Sequence, residues 1–166
     1  MGKRSVKENK NIYQIAREDL ELTRDQASEV LEYVSADRIE KIESGRSLPH
    51  PDEILVMAEG YKRPELCNWY CSHECPIGQV HVPEIAMKDL TQITLETLSM
   101  LNSLEKDKER LIDITADSAI SESEVEDFVS IQEKLDHISR SAQALRLWVQ
   151  QQIAEGKLSA EILEKK

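Results

Sequence analysis

Cys67, Cys71 and Cys75 stand at intervals of four, with Trp69, Tyr70 and His73 between them. On a helix, positions 67 and 71 share a face at a separation of about 6 Å, close enough for two thiolates to hold one metal ion. Cys75 could fold back onto them once Pro76 ends the helix. With His73, His81 or His50 the set could make a Cys₃His zinc site, and three thiolates alone could hold an iron–sulfur cluster with one open iron. The spacing lacks the two-residue knuckles of persuasive zinc motifs. The leading reading is therefore that the cysteines are small buried hydrophobes at core spacing, with redox sensing a third option. An odd, clustered set does not make the disulfide framework of a secreted domain, so reduced thiols in the cytoplasm are expected. Other catalytic patterns are missing: there is no glycine-rich phosphate loop, no Ser/His/Asp ordering and no carboxylate pair in an apolar frame. Glu122, Glu124, Glu126 and Asp127 precede or open a helix, where they favour the helix dipole rather than chemistry. No enzyme is expected.

The elements that position such residues are helical. Hydrophobic residues make up 40% of the 166 residues, charged residues 32% and aromatics only 4%. That profile suits helices with wide solvated faces and disfavours a β-sandwich, which needs more β-branched and aromatic residues. No apolar run approaches the roughly 18 residues of a membrane span. The basic stretch from Met1 to Asn11 leads into no apolar segment and does not read as a secretory signal. Net charge is −11, divided as −3 over residues 1–66 and −8 over the rest. An acidic total argues against non-specific coating of nucleic acid but leaves room for a local basic patch. Lys3, Arg4, Lys7 and Lys10 supply a small basic arm.

Residues 11–60 divide into four short amphipathic pieces. Ile12, Ile15, Ala16 and Leu20 share one helical face. Thr23 is an N-cap with Gln26 as its capping-box partner, and that piece carries Ala27, Val30 and Leu31 inward. Ser35 caps a third, with Ile39 and Ile42 inside and Gly45 at its C-terminal end. Asp52 begins a fourth with Ile54, Leu55, Met57 and Ala58, ended by Gly60. After the cysteine segment, a long helix from Glu84 to about Thr115 carries Leu90, Ile93, Thr97, Leu101, Leu104 and Leu111 on one stripe. Asp117, Ser118, Ser121 and Ser123 mark a connection. Phe128, Ile131, Leu135, Ile138, Ala142, Leu145 and Val149 then alternate by three and four, the pattern of a coiled-coil seam. Trp148 and Leu147 widen that face, as a helix covered on two sides would require.

Residues 34–46 carry the sharpest signal. Val34-Ser35 is followed by Arg38-Ile39-Glu40-Lys41-Ile42-Glu43-Ser44-Gly45-Arg46, then by Pro49 and the fourth helix. Over residues 11 to about 60, this resembles the phage-repressor and Cro-like (XRE-type) helix-turn-helix family. The resemblance implies a recognition helix at 35–44 and Arg24 near phosphate. It implies that Ala36, Asp37, Glu40 and Lys41 face base edges, that Glu43 is structural, and that Gly45 lets the chain leave the helix. Ser35, Arg38 and Arg46 complete the candidate DNA-binding set.

The expected chain is all-α: a helix-turn-helix domain at 1–63, a cysteine segment at 64–83, and a long antiparallel helical hairpin at 84–166 that dimerises or receives a partner. Its expected function is transcriptional regulation, reading duplex DNA as a homodimer, because two half-sites multiply a weak single reading. An alternative is a protein-interaction module on the same scaffold, since Asp37 and Glu40 point carboxylates outward. A second is a metal- or redox-sensing regulator acting through the cysteines.

Overall fold

The computed structural model describes residues 10–116 and 119–161, which form eight helices and no strand. They are α1 (Ile12–Asp19), α2 (Arg24–Leu31), α3 (Ala36–Glu43), α4 (Pro51–Gly60), α5 (Glu65–His73), α6 (Gly78–His81), α7 (Leu90–Thr115) and α8 (Val125–Ala154). The arm residues Lys3, Arg4 and Lys7, and Asp117 and Ser118 of the connection, lie outside the described residues. Two compact units result: one holds the chain up to Glu84 together with the residues from Val149, the other holds Ile85–Trp148. Among the described residues no helix is long and apolar enough to cross a membrane.

The first unit is built on local caps. Asn11 Oδ1 accepts from Gln14 N–H at 2.9 Å to start α1, while its Nδ2 donates to the Ile42 carbonyl at 2.8 Å and ties α1 to the end of α3. Thr23 and Gln26 form the expected capping box, and Ser35 Oγ accepts from Arg38 N–H. Each such cap satisfies backbone donors that the first helical turn leaves without partners. Gly45 follows α3 at φ +72°, a conformation that an L side chain adopts only with strain. The core joins Ala27, Leu31, Val34, Ile39, Ile42 and Met57, with Leu66 of α5 closing it.

Val30, expected inward, is 48% exposed, and Ile15, Leu20 and Leu55 of the amphipathic pieces are 40%, 39% and 64% exposed. On α1 the buried place belongs to Tyr13, whose ring meets Trp69 edge-on at 5.6 Å and whose hydroxyl donates to Glu74 at 2.8 Å. The partners on α5 and just past its end thus choose the face of α1. Burial, and then the bond to Glu74, push the Tyr13 hydroxyl pKa far up. The hydroxyl therefore stays protonated as a donor.

In the second unit α7 and α8 run antiparallel: Arg110 pairs with Asp127 at 2.6 Å, Asp107 with Lys134, and Ile93 packs with Ala144 and Leu147. α7 starts at Leu90 rather than Glu84, because the Asp89 side chain caps Gln92 N–H at 2.9 Å. The buried side of α8 passes through Ile131, Ser141, Ala144 and Leu147, while Leu135 and Leu145 of the expected seam are 45% and 42% exposed. On α7 Ile93 and Ile114 are buried, and Leu98, Leu101 and Ile112 face outward.

Candidate nucleic-acid interface

The candidate interface is a pair of short helices, α2 and α3, braced together by one carboxylate. Glu43, at the end of α3, has a side chain only 1% exposed. It accepts from Arg17 Nε at 2.5 Å and Nη2 at 3.0 Å, and from Arg24 Nε at 2.8 Å. Arg17 also donates to the Leu22 carbonyl at 2.5 Å, which fixes the entry to α2. The structural part expected for Glu43 is thus a strut joining α1, α2 and α3. It also sets Arg24, whose side chain stays 40% exposed at the first turn of α2. A guanidinium anchored on one edge and open on the other can still present donors to a phosphate oxygen.

The link between α2 and α3 turns at Glu32, with φ +54°. The turn there is a γ-turn, with Glu32 at ψ −45° and the Tyr33 N–H donating to the Leu31 carbonyl at 2.5 Å. Val34 is buried to 1% and anchors the turn, while Tyr33 beside it is 86% exposed. Tyr33 is a surface aromatic that the candidate set omitted; its one signal was a large apolar residue in a turn where small residues prevail.

Along α3 the candidates separate into inner and outer groups. Arg38 turns inward: Nε and Nη2 bind the two oxygens of Glu53 at 2.7 Å each, Nη1 donates to Ser47 Oγ at 2.6 Å, and Nη2 donates to the Leu48 carbonyl at 2.9 Å. Arg38 therefore locks α3 to α4 and the loop between them. The same bond from Arg38 holds the Glu53 carboxyl below the usual carboxylate range, against the opposing effect of its burial. Glu40 is matched by exposed Arg46, which also donates to Ser44 Oγ at 3.0 Å. Asp37 and Lys41 are exposed, and among the described residues neither makes an ion pair. Ser35 is exposed at the cap and Ala36 half-buried behind it. The outer face thus offers Asp37, Lys41 and a neutralised Glu40–Arg46 pair, with Arg24 on the neighbouring helix.

The cysteines are arranged differently. Cys67 and Cys71 lie on α5, and Cys67 packs against the domain core. Burial, and then nearby Cys71, push the Cys67 thiol pKa up. Cys75, past the helix end, has its Sγ 3.5 Å from the Gly78 N–H. His73 stacks on Trp69 at 4.7 Å with its Nδ1 3.1 Å from the Trp69 carbonyl oxygen. Among the described residues no three His, Cys, Asp or Glu side chains are placed to hold a metal ion. Cys67 and Cys71 stand one turn apart on α5, and the Cys75 Sγ, past the helix end, accepts from the Gly78 N–H.

Residues 14–66 match the family model of a helix-turn-helix domain, and this part of the chain is a helix-turn-helix domain of the repressor-like kind. The match extends beyond α4 into the start of α5. No curated protein and no solved structure matches the chain significantly.

Proposed function

We propose that the chain is a transcriptional regulator that reads duplex DNA with the outer face of α3 and acts as a dimer through α7 and α8. The observation that carries this reading is the solvent-open face of Asp37 and Lys41 on a capped helix, with Arg46 just past its end and the anchored Arg24 beside it. Lys41 and Arg24 suit phosphate or guanine, while Asp37 can accept from cytosine N4. Dimerisation is favoured by the apolar residues that α7 and α8 leave outward, among them Leu98, Leu101, Leu135 and Leu145. A second reading, a protein-interaction module, is favoured by Tyr33 at 86% exposure.

The test is selection of bound fragments from genomic DNA with the purified chain, followed by gel retardation across a salt series. A pseudo-palindromic site is expected, with Lys41→Ala weakening binding on every sequence and lowering the salt slope by about 1. Asp37→Asn is expected to relax base preference at one position. Absence of retardation at low salt on any genomic fragment overturns the DNA reading in favour of the protein module.

A further inference from the structure

A cavity of about 490 Å³ opens within the first unit, where the ends of α4 and α8 and the start of α5 meet. Its floor is apolar: Ala58, Pro64, Cys67, Ile153 and Ala154. Ala58 is 7% exposed, and Cys67, Ile153 and Ala154 are half-buried. The raised thiol pKa keeps Cys67 uncharged near neutral pH, so it adds no charge to that floor. The rim carries Glu59, Lys62 and Gln150, all exposed. A volume between about 300 and 1,000 Å³ with an apolar lining and a few polar groups is the usual form of a small-molecule site.

The rim charges decide what kind of molecule fits. Glu59 lies on α4 and Lys62 beyond its end. They are not paired with each other, and among the described residues neither has any other ion pair. Lys62 sits at φ +55°, two residues past the end of α4, and its N–H donates to the Glu59 carbonyl at 3.0 Å. A lysine held in a conformation cheaper for glycine puts an ammonium at the mouth instead of bare backbone. One carboxylate and one ammonium, separate and unpaired above an apolar floor, complement a molecule with both charges and an apolar tail. A purely anionic or purely cationic ligand would leave one rim charge facing its own sign.

We infer that this cavity binds an apolar zwitterion of the amino-acid class, its ammonium on Glu59, its carboxylate on Lys62 and Gln150, and its side chain against Ala58, Pro64, Cys67 and Ile153. The site is separate from the outer face of α3, and the binding is measured without DNA, so the outcome is independent of the DNA reading.

The experiment is isothermal titration of the full chain with L-phenylalanine, 3-phenylpropionate, which lacks the ammonium, and phenethylamine, which lacks the carboxylate. One saturable site for L-phenylalanine is expected, with each single-charge analogue bound about fivefold more weakly. Lys62→Gln should weaken L-phenylalanine and 3-phenylpropionate and leave phenethylamine unchanged. Glu59→Gln should weaken L-phenylalanine and phenethylamine and leave 3-phenylpropionate unchanged. Both side chains are exposed, so neither variant endangers folding. Ala154→Trp, which fills the cavity, should abolish binding of all three. No saturable binding of L-phenylalanine at millimolar concentration overturns the inference, as does either analogue binding as tightly as L-phenylalanine.

Discussion

Replacing Glu43 by alanine tests whether one buried carboxylate sets the helix-turn-helix geometry. The substitution removes the partner of Arg17, whose own side chain is 8% exposed, so a charge is left in the interior. Breaking a buried pair from one side costs about 3–5 kcal/mol. Two contacts moderate this: Arg17 keeps the Leu22 carbonyl at 2.5 Å, and Glu18 Oε1 lies 3.8 Å from its Nη2. Glu18 is already engaged by Lys10 at 2.6 Å and by Gln14 Nε2 at 2.8 Å, so its help is partial. The expected loss is therefore at the lower end, about 3 kcal/mol. In urea unfolding with a slope near 2 kcal/mol/M, the midpoint should fall by about 1.5 M. Arg24→Ala, on the exposed side of the same carboxylate, should cost no more than about 1 kcal/mol. The double variant Arg17→Met with Glu43→Leu should recover most of the single-variant loss, because no unpaired buried charge then remains and Arg24 is exposed. A midpoint shift below about 0.5 M for Glu43→Ala, or a double variant no better than the single, would refute the strut.

Two further outcomes follow from the same unit. Glu53, held below the ordinary carboxylate range by Arg38, contributes stability that is complete above that range and is lost as pH falls through its depressed folded value. Glu53→Gln should therefore be less stable than the parent at pH 7, with the gap closing on acidification; a gap that widens in acid would reverse the sign of this linkage. At Gly78 an added Cβ would lie 2.0 Å from the Cys71 carbonyl oxygen, a backbone atom that cannot turn aside. Gly78→Ala should cost about 1–3 kcal/mol by overpacking, whereas Gly45→Ala, with open space but φ +72°, should cost about 1–2 kcal/mol from backbone strain alone. Chemical denaturation of the two variants separates clash from strain, and an unchanged midpoint for Gly78→Ala removes the clash.

What could be read from the sequence was what is decided within four residues of itself. Thr23 with Gln26, Ser35 before Arg38, and Gly45 after α3 are caps whose donors and acceptors lie one turn apart, and the structure holds each of them. The rotation of each helix is a different matter. In an eight-residue helix such as α1, a handful of apolar positions leaves the buried face uncertain by a large part of a turn. Trp69 and Glu74 settled it in favour of Tyr13 over Ile15, and they lie more than 50 residues further along the chain. On α8 the apolar repeat reads as one coiled-coil seam. The side buried in the second unit instead moves around the helix from Ile131 to Leu147, leaving Leu135 and Leu145 outside.

The candidate interface was legible as a stretch and not as a set of roles. Arg38 and Lys41 both sit on α3 as cations, and nothing local separates them; Glu53 does so, from α4, by taking both edges of the Arg38 fork. The same pairing changes what net charge means for this domain. Glu43 and Glu53 count as acidic residues, yet their side chains are only 1% and 15% exposed and each is bound to arginine. Glu40 is answered by Arg46 at the surface. Subtracting these pairs leaves Asp37 against Lys41 on the outer face, beside the open edge of Arg24, so the face is near electrical balance although the domain is acidic. A surface of that kind gains little from long-range attraction to phosphate, so under the proposed DNA reading its hold on a duplex would come from short-range hydrogen bonds at fixed geometry. Rigid bracing of α3 by Glu43 on one side and Glu53 on the other is what such recognition requires. Under the proposed reading, loss of either buried strut should impair DNA binding even where every outward side chain is intact.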